Sequence, residues 1–293
     1  MMDSIRDRYL PLIQKMMGNF KKPSTVSDKD VFQIGSTDLL HYIDKILEDH
    51  LLPGSGIAGF DNLVQLAEKA SRGETCLLLL EHYSNFDLPA FHYLLRAQGE
   101  AGVRLADSIV AIAGIKLSES NPVISAFAQA YTRIVIYPSR SLEILKQNYK
   151  DPNKLYHEIR RSMSINHAAM RTVAQLKVTG KIILVFPAGT RFRPWDPDSK
   201  KGVREIASYV KSFDNYCLVS INGNILRINP SGEMEEDLLH KDKILFTAGP
   251  VCSCRALLTH VKEEHHFRED RKQEIVDHLM EELDSMHKAA ESR

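Results

Sequence analysis

Short apolar runs alternate with amphipathic stretches along most of this chain. Residues 75–80, 108–113, 134–137, 181–186, 216–221 and 243–247 are apolar runs of strand length. Between them, residues 88–97, 121–130 and 154–176 space their apolar positions as an amphipathic helix does. Alternation of this kind predicts an α/β fold, a mixed central sheet covered by helices. The chain ahead of residue 74 follows a different pattern, with helices separated by breakers. Pro23 ends the first, and Ser36 is placed to cap a second over 37–52, in which Leu39, Leu40, Ile43, Ile46 and Leu47 fall at helical spacing. Pro53-Gly54-Ser55-Gly56 then interrupts the chain, and a helix over 61–70 leads to Gly73. At the other end, residues 267–290 carry Ile275, Leu279 and Leu283 on one stripe of an amphipathic helix. The expected organisation is a small helical N-terminal domain over 1–58 followed by one α/β domain over 59–293.

Composition narrows the function classes. Of 293 residues, 43% are hydrophobic and 26% charged, the balance of a globular chain and not of a disordered one. Lys plus Arg and Asp plus Glu each number 38. No global field therefore draws the chain to nucleic acid, although a local basic cluster can still hold an anion. No apolar run approaches the ~18 residues needed to cross a bilayer. Membrane spanning is excluded on that ground; contact with a membrane surface is not. The opening Met1-Met2-Asp3-Ser4-Ile5-Arg6 lacks the charged-then-apolar order of a secretory signal. Cys76 and Cys217 lie in apolar runs, where a buried, reduced thiol is the usual state. Cys252-x-Cys254 has no second pair at zinc spacing and reads more readily as a strand end than as half a metal site. A reducing cytoplasm is the expected location.

Two clusters carry candidate chemistry. The first is His82-Tyr83-Ser84-Asn85-Phe86-Asp87, between the 75–80 strand and the 88–97 helix. A His with an Asp five positions on is a weak signal in a chain of 12 histidines. His265 and Asp270 repeat it, but among Lys262, Glu263, Glu264, Arg268 and Glu269, a run that reads as a solvated face. Five residues apart on a helix lie about 140° off one face, and on a strand they point to opposite faces. His82 and Asp87 therefore meet only if the chain turns between them, and Ser84-Asn85 are turn formers. A strand-to-helix turn also puts side chains at the carboxyl edge of a sheet, where α/β proteins hold ligands. There Asp87 could accept a hydrogen bond from one ring nitrogen of His82, leaving the other to take a proton. The plainer alternative makes Asp87 a helix N-cap and His82 a polar strand end.

The second cluster, Phe186-Pro187-Ala188-Gly189-Thr190-Arg191-Phe192-Arg193-Pro194, follows the 181–186 strand. A turn containing Gly lets backbone N–H groups converge on an anion, and Arg191 and Arg193 add forked cationic donors. Its plainer alternative is a surface loop with two solvated arginines.

Taken together, the two clusters resemble the boxes of the glycerolipid acyltransferases, a His-x4-Asp box and, well downstream, a Phe-Pro-Glu-Gly-Thr-Arg box. Here they stand in the same order, each after an apolar run. The likeness is nearest to the soluble glycerol-3-phosphate acyltransferases of the plastid type. Those have a helical N-terminal domain, no membrane span, and an Arg-x-Arg-Pro sequence where Arg191-Phe192-Arg193-Pro194 stands here. It covers residues 37–255. Ala188 stands where the family usually has Glu, and the plastid-type enzymes also lack that Glu. The box between these two, an apolar strand ending in a basic residue, resembles residues 133–140, with either Arg140 or Arg133 as phosphate ligand. The fourth box has a faint counterpart at 218–230.

The resemblance implies transfer of a fatty acyl group from an acyl thioester, on acyl carrier protein or coenzyme A, to a hydroxyl of glycerol-3-phosphate, the first step of phospholipid synthesis. It implies His82 as general base held by Asp87, with Arg140, Arg191 and Arg193 on the acceptor phosphate. Gly189 and Thr190 would supply backbone donors to the phosphate or to the oxyanion. No metal or bound cofactor is expected and no nucleic acid. The expected location is cytoplasmic, with peripheral contact at the inner membrane face left open. Two other readings stand beside it. One is an acyltransferase acting on a lysophospholipid or another lipid at a membrane surface, docked by the C-terminal amphipathic helix. The other is a non-catalytic binder of acyl carrier or lipid, which the substitution at Ala188 suggests and the His82/Asp87 pair opposes.

Overall fold

The computed structural model describes residues 3–19, 25–119, 122–148, 151–230, 236–264 and 270–292. Pro23, Asn121 and the charged run 265–269 lie outside the described residues. In chain order the helices are α1 (Ile5–Gly18), α2 (Leu40–His50), α3 (Phe60–Ser71), α4 (Asp87–Arg96), α5 (Glu100–Ser108), α6 (Lys116–Glu119), α7 (Pro122–Gln129), α8 (Ser139–Asn148), α9 (Pro152–Leu176), α10 (Ile206–Val210), α11 (Cys254–Glu264) and α12 (Arg271–Glu291). The strands are β1 (Phe32–Gln33), β2 (Gly56–Ala58), β3 (Cys76–Leu80), β4 (Ile109–Gly114), β5 (Arg133–Ile136), β6 (Ile182–Val185), β7 (Asn215–Asn222), β8 (Leu226–Arg227), β9 (Leu238–Leu239), β10 (Leu245–Ala248) and β11 (Cys252–Ser253). The fold is α/β, with mixed sheet covered by helices.

The chain divides into two compact units, one of residues 1–8, 44–109 and 177–293, the other of residues 9–43 and 110–176. In the first, the sheet runs β6-β3-β7-β10-β2. β3 is parallel to both neighbours, Leu78 standing opposite Leu184 of β6 and Cys217 of β7. β10 is antiparallel to β7 and parallel to β2, and β11 pairs with the start of β7. Strands β3 and β6 bury every side chain, and β7 all but its last. Strands flanked on both sides and covered on both faces have no polar face to alternate with, which is why they read as unbroken apolar runs. Leu63 and Leu66 of α3, Phe91 and Leu95 of α4, and Ile275, Val276, Leu279 and Leu283 of α12 bury their apolar stripes in this unit. The Phe91 ring packs 5.1 Å from that of Phe246 on β10. In the second unit β4 is parallel to β5, with Ile112 opposite Ile134, and β1 is antiparallel to β5.

All the strands expected from the apolar runs are present, within two residues of their expected ends. The additional strands β1, β2, β8, β9 and β11 are two or three residues long, too short to show a period. β1 and β2 fall in the N-terminal stretch that reads as helical, β1 on β5 and β2 on β10. Ser36 makes no side-chain cap: its N–H donates to the Gln129 carbonyl at 2.8 Å, and a 3-10 turn over Thr37–Leu39 precedes α2. Asp270 caps α12, its side chain accepting the N–H groups of Lys272 and Gln273. Among the described residues, no helix is long and apolar enough to cross a membrane.

Candidate active site

β3 ends at Leu80, and the chain turns sharply before α4. Asp87 is the first residue of α4, and the preceding Phe86 occupies the N-cap position without a side-chain cap. The Asp87 carboxylate points back into the turn. Its Oδ2 accepts the N–H of Tyr83 at 2.6 Å and of Ser84 at 2.8 Å, and lies 2.8 Å from His82 Nδ1; Oδ1 accepts the Ser84 hydroxyl at 2.9 Å. Asp87 is 3% exposed, so these bonds replace the water that burial removes. An oxygen that receives two amide donors has no place for a proton. His82 Nδ1 is therefore the donor, and Nε2 carries the ring's lone pair. Nε2 takes no protein hydrogen bond among the described residues. The ring is half-buried and stacks on Phe186 at 4.0 Å between centroids, 21° between planes. Asp87 thus caps backbone amides of the turn and not those of the helix, and the turn brings His82 onto it.

The second cluster lies against the first because β3 and β6 are parallel neighbours whose carboxyl ends emerge side by side. Phe186-Pro187-Ala188-Gly189 is a turn closed by the Gly189 N–H on the Phe186 carbonyl at 2.9 Å. Gly189 has φ +64°, and a Cβ there would stand 3.1 Å from a Val203 methyl. Its amide is engaged inside the turn, to which Gly189 contributes the left-handed bend. Gly189→Ala should cost about 1–2 kcal/mol through backbone strain alone, readable as a lowered melting temperature. Thr190, the next residue, has neither amide nor hydroxyl bonded to protein among the described residues. Phe192 then donates its N–H to the His82 carbonyl at 2.8 Å and sets its ring edge-on to Tyr83 at 5.9 Å. One backbone bond joins the two boxes.

The arginines differ in their surroundings. Arg191 is 12% exposed and pairs through Nη1 with Asp237, itself 1% exposed. The other Asp237 oxygen accepts the Asn229 N–H at 3.1 Å, and Asn85 Nδ2 stands 3.5 Å from the oxygen that Arg191 binds. Burial pushes the Asp237 carboxyl above its ordinary pKa, and the Arg191 charge opposes that rise. Among the described residues the guanidinium bonds only through Nη1, which leaves its other N–H groups for a ligand. Arg193 is half-buried, with Nη1 3.9 Å from Asp196 Oδ2 and its backbone N–H donated to Ser199 Oγ at 2.7 Å. Arg133 is buried and donates to the carbonyls of Ala128 and Tyr131, and burial lowers its pKa to about 10. It serves its own unit's backbone. Arg140 is exposed in the first turn of α8, in the second unit. The first unit gathers His82, Asp87, Gly189, Thr190, Arg191 and Arg193.

Sequence reasoning passed over Asp237, whose signal is slight: an acid directly before the Leu238-Leu239 pair. Cys76, Cys217 and Cys254 are buried, and burial pushes each thiol up to about 12. Cys252 opens β11, the short partner strand of β7, and Cys254 opens α11. Among the described residues no group of three His, Cys, Asp or Glu side chains could hold a metal ion.

Comparison with known proteins gives the class. The model of the Acyltransferase family matches residues 62–219, more than half of the chain and both boxes. The chain belongs to that family. Among solved structures it is similar to the 1-acyl-sn-glycerophosphate (LPA) acyltransferase PlsC from Thermotoga maritima, at 13% identity and a TM-score of 0.41, over 85% of this chain and 79% of that one. No curated protein matches the chain.

Proposed function

We propose that this acyltransferase moves a fatty acyl group from an acyl thioester, acyl-coenzyme A or an acyl carrier protein, to a hydroxyl of glycerol-3-phosphate. The observation that carries the reading is His82, fixed by Asp87 at 2.8 Å with Nε2 unbonded among the described residues, beside a loop presenting Arg191 and Arg193. A hydroxyl is a poor nucleophile at neutral pH. Nε2 takes its proton as the oxygen attacks the thioester carbonyl carbon, forming the C–O bond. Collapse of the tetrahedral intermediate breaks the C–S bond, and the imidazolium returns the proton to the departing thiolate. Asp87 holds the ring in the one tautomer that can do this and stabilises its charged form. Arg191 and Arg193 bind the acceptor phosphate and convert that binding into orientation of its hydroxyl. Thr190 offers its unbonded amide and hydroxyl to the phosphate or to the oxyanion. The scheme uses no metal or bound cofactor; the thioester is a co-substrate. A cytoplasmic enzyme in peripheral contact with the membrane suits a water-soluble acceptor and a lipid product.

Arg193→Ala should raise the acceptor KM about tenfold, the size of one lost charged hydrogen bond. The melting temperature should hardly move, because the pair with Asp196 is long and partly solvated. Acceptor identity is tested by following a labelled acyl chain from thioester into lipid, once with glycerol-3-phosphate and once with 1-acylglycerol-3-phosphate. Label in the monoacyl product supports the proposal. Label only in the diacyl product moves the acceptor to the lysophospholipid, and label in neither, with thiol retained, favours a binder.

A further inference from the structure

Behind the His82–Asp87 turn lies a second cluster of titratable groups with no part in the scheme above. Glu81, directly after β3, is 5% exposed. One of its oxygens, Oε2, accepts the Ile221 N–H at 2.8 Å, and Oε1 accepts the Tyr83 hydroxyl at 3.0 Å. His287, near the end of α12, places Nδ1 3.0 Å from Glu81 Oε2 and 3.2 Å from the Tyr83 hydroxyl. Its Nε2 lies 3.2 Å from Glu291 Oε1. With a carboxylate at each ring nitrogen, both contacts are satisfied only when both nitrogens carry hydrogen, that is, in the imidazolium. The His287 carbonyl accepts from Asn222 Nδ2 at 3.1 Å, which fixes this part of α12 to the end of β7. Tyr83 is the shared member. Its hydroxyl belongs to this cluster, its ring packs on Phe192 and His287, and its N–H donates to the Asp87 oxygen that holds His82.

We propose that protonated His287 is a positioning residue: by holding Glu81 and Tyr83 it fixes the turn from which Asp87 orients His82. This rests on the acyl-transfer reading. The groups around the ring are Glu81 and Tyr83 from β3 and its turn, Asp284, Lys288 and Glu291 from α12, and Lys200 from the 3-10 turn Pro197–Lys200, which pairs with Asp284 at 2.6 Å. The Glu81 hydrogen bond and charge, helped by Glu291, raise the His287 pKa above its ordinary value against burial and Lys200. Burial beside Glu81 raises the Tyr83 phenol, so its hydroxyl stays a donor. For a raised histidine the stabilising contribution is complete below the unfolded value and is lost as pH rises through the folded one. Above that pH the ring keeps one hydrogen, which can stay on Nδ1, but loses its charge and its Nε2 donor to Glu291; the buried Glu81 is then answered by neutral donors alone, and the catalytic turn loosens.

The test measures kcat and KM across roughly pH 6 to 9 for wild type, His287→Gln and Glu291→Gln, with a nitrogen-15 titration of the His287 ring. His287→Gln should lower kcat about three- to tenfold, leave the acceptor KM within about twofold, and flatten the alkaline limb. Glu291→Gln alters an exposed side chain outside the turn, so it should fold, keep its acid-side kcat, and move the alkaline limb to lower pH. A His287→Gln enzyme with wild-type kcat at every pH overturns the proposal. So does an unshifted limb in Glu291→Gln, or a ring that titrates at or below the ordinary histidine value. A wild-type protein without turnover overturns the acyl-transfer reading and the catalytic role with it. The ring titration then shows separately whether the ion pair exists.

Discussion

His82→Ala should reduce acyl transfer by ~10² to 10⁴, the range that a general base contributes, while the protein melts as a folded domain. The separation of those effects follows from the hydrogen bonds. Removing the ring takes one donor from Asp87, but the Tyr83 and Ser84 amides and the Ser84 hydroxyl still satisfy its carboxylate. The buried charge is not orphaned, and the turn keeps its shape. What is lost is the Nε2 lone pair and the stacking on Phe186. Thiol release at saturating substrates, with circular dichroism on the same samples, checks both halves.

Arg191→Ala should behave quite differently. Asp237 is 1% exposed, and Arg191 is the only cation paired with it among the described residues. Removing one partner of a buried ion pair costs about 3–5 kcal/mol, because the remaining charge is left without compensation. The deficit should depend on pH with a definite sign. Burial already raises the Asp237 carboxyl above its ordinary value, and losing Arg191 raises it further. The folded state then binds a proton that the unfolded state releases, so stability falls as pH rises and returns as pH falls through the folded value. Urea denaturation near neutrality and at mildly acid pH measures this. Adding Asp237→Asn to Arg191→Ala should recover much of the stability but not acceptor affinity, which separates the guanidinium's two duties. A single Arg191→Ala variant that unfolds in urea like wild type at both pH values contradicts the buried pair.

The central strands were legible because β3, β6 and β7 are buried from end to end, and burial writes itself as an unbroken apolar run. The pairing of His82 with Asp87 was legible for a related reason: neither helix nor strand spacing lets them meet, so a turn between them is required. The join between the boxes was not legible, since the Phe192-to-His82 bond depends on β6 lying beside β3, a fact of sheet order. Gly189 invited an anion-site reading from its residue type, but the turn geometry uses its amide internally. Asp237 and His287 were hidden by charge. Asp237 ends an acidic run, and its cation lies 46 residues away. His287 sits in a helix dense with Lys and Glu, where nothing in the spacing separates the ring facing Glu81 from its solvated neighbours.

The most direct test of the account is a thiol-release assay on the purified wild-type protein, with an acyl thioester, in the presence and absence of glycerol-3-phosphate. The account predicts release that depends on the acceptor and saturates with it, falling to background in the His82→Ala variant. Release that ignores the acceptor, or that survives intact in His82→Ala, contradicts it.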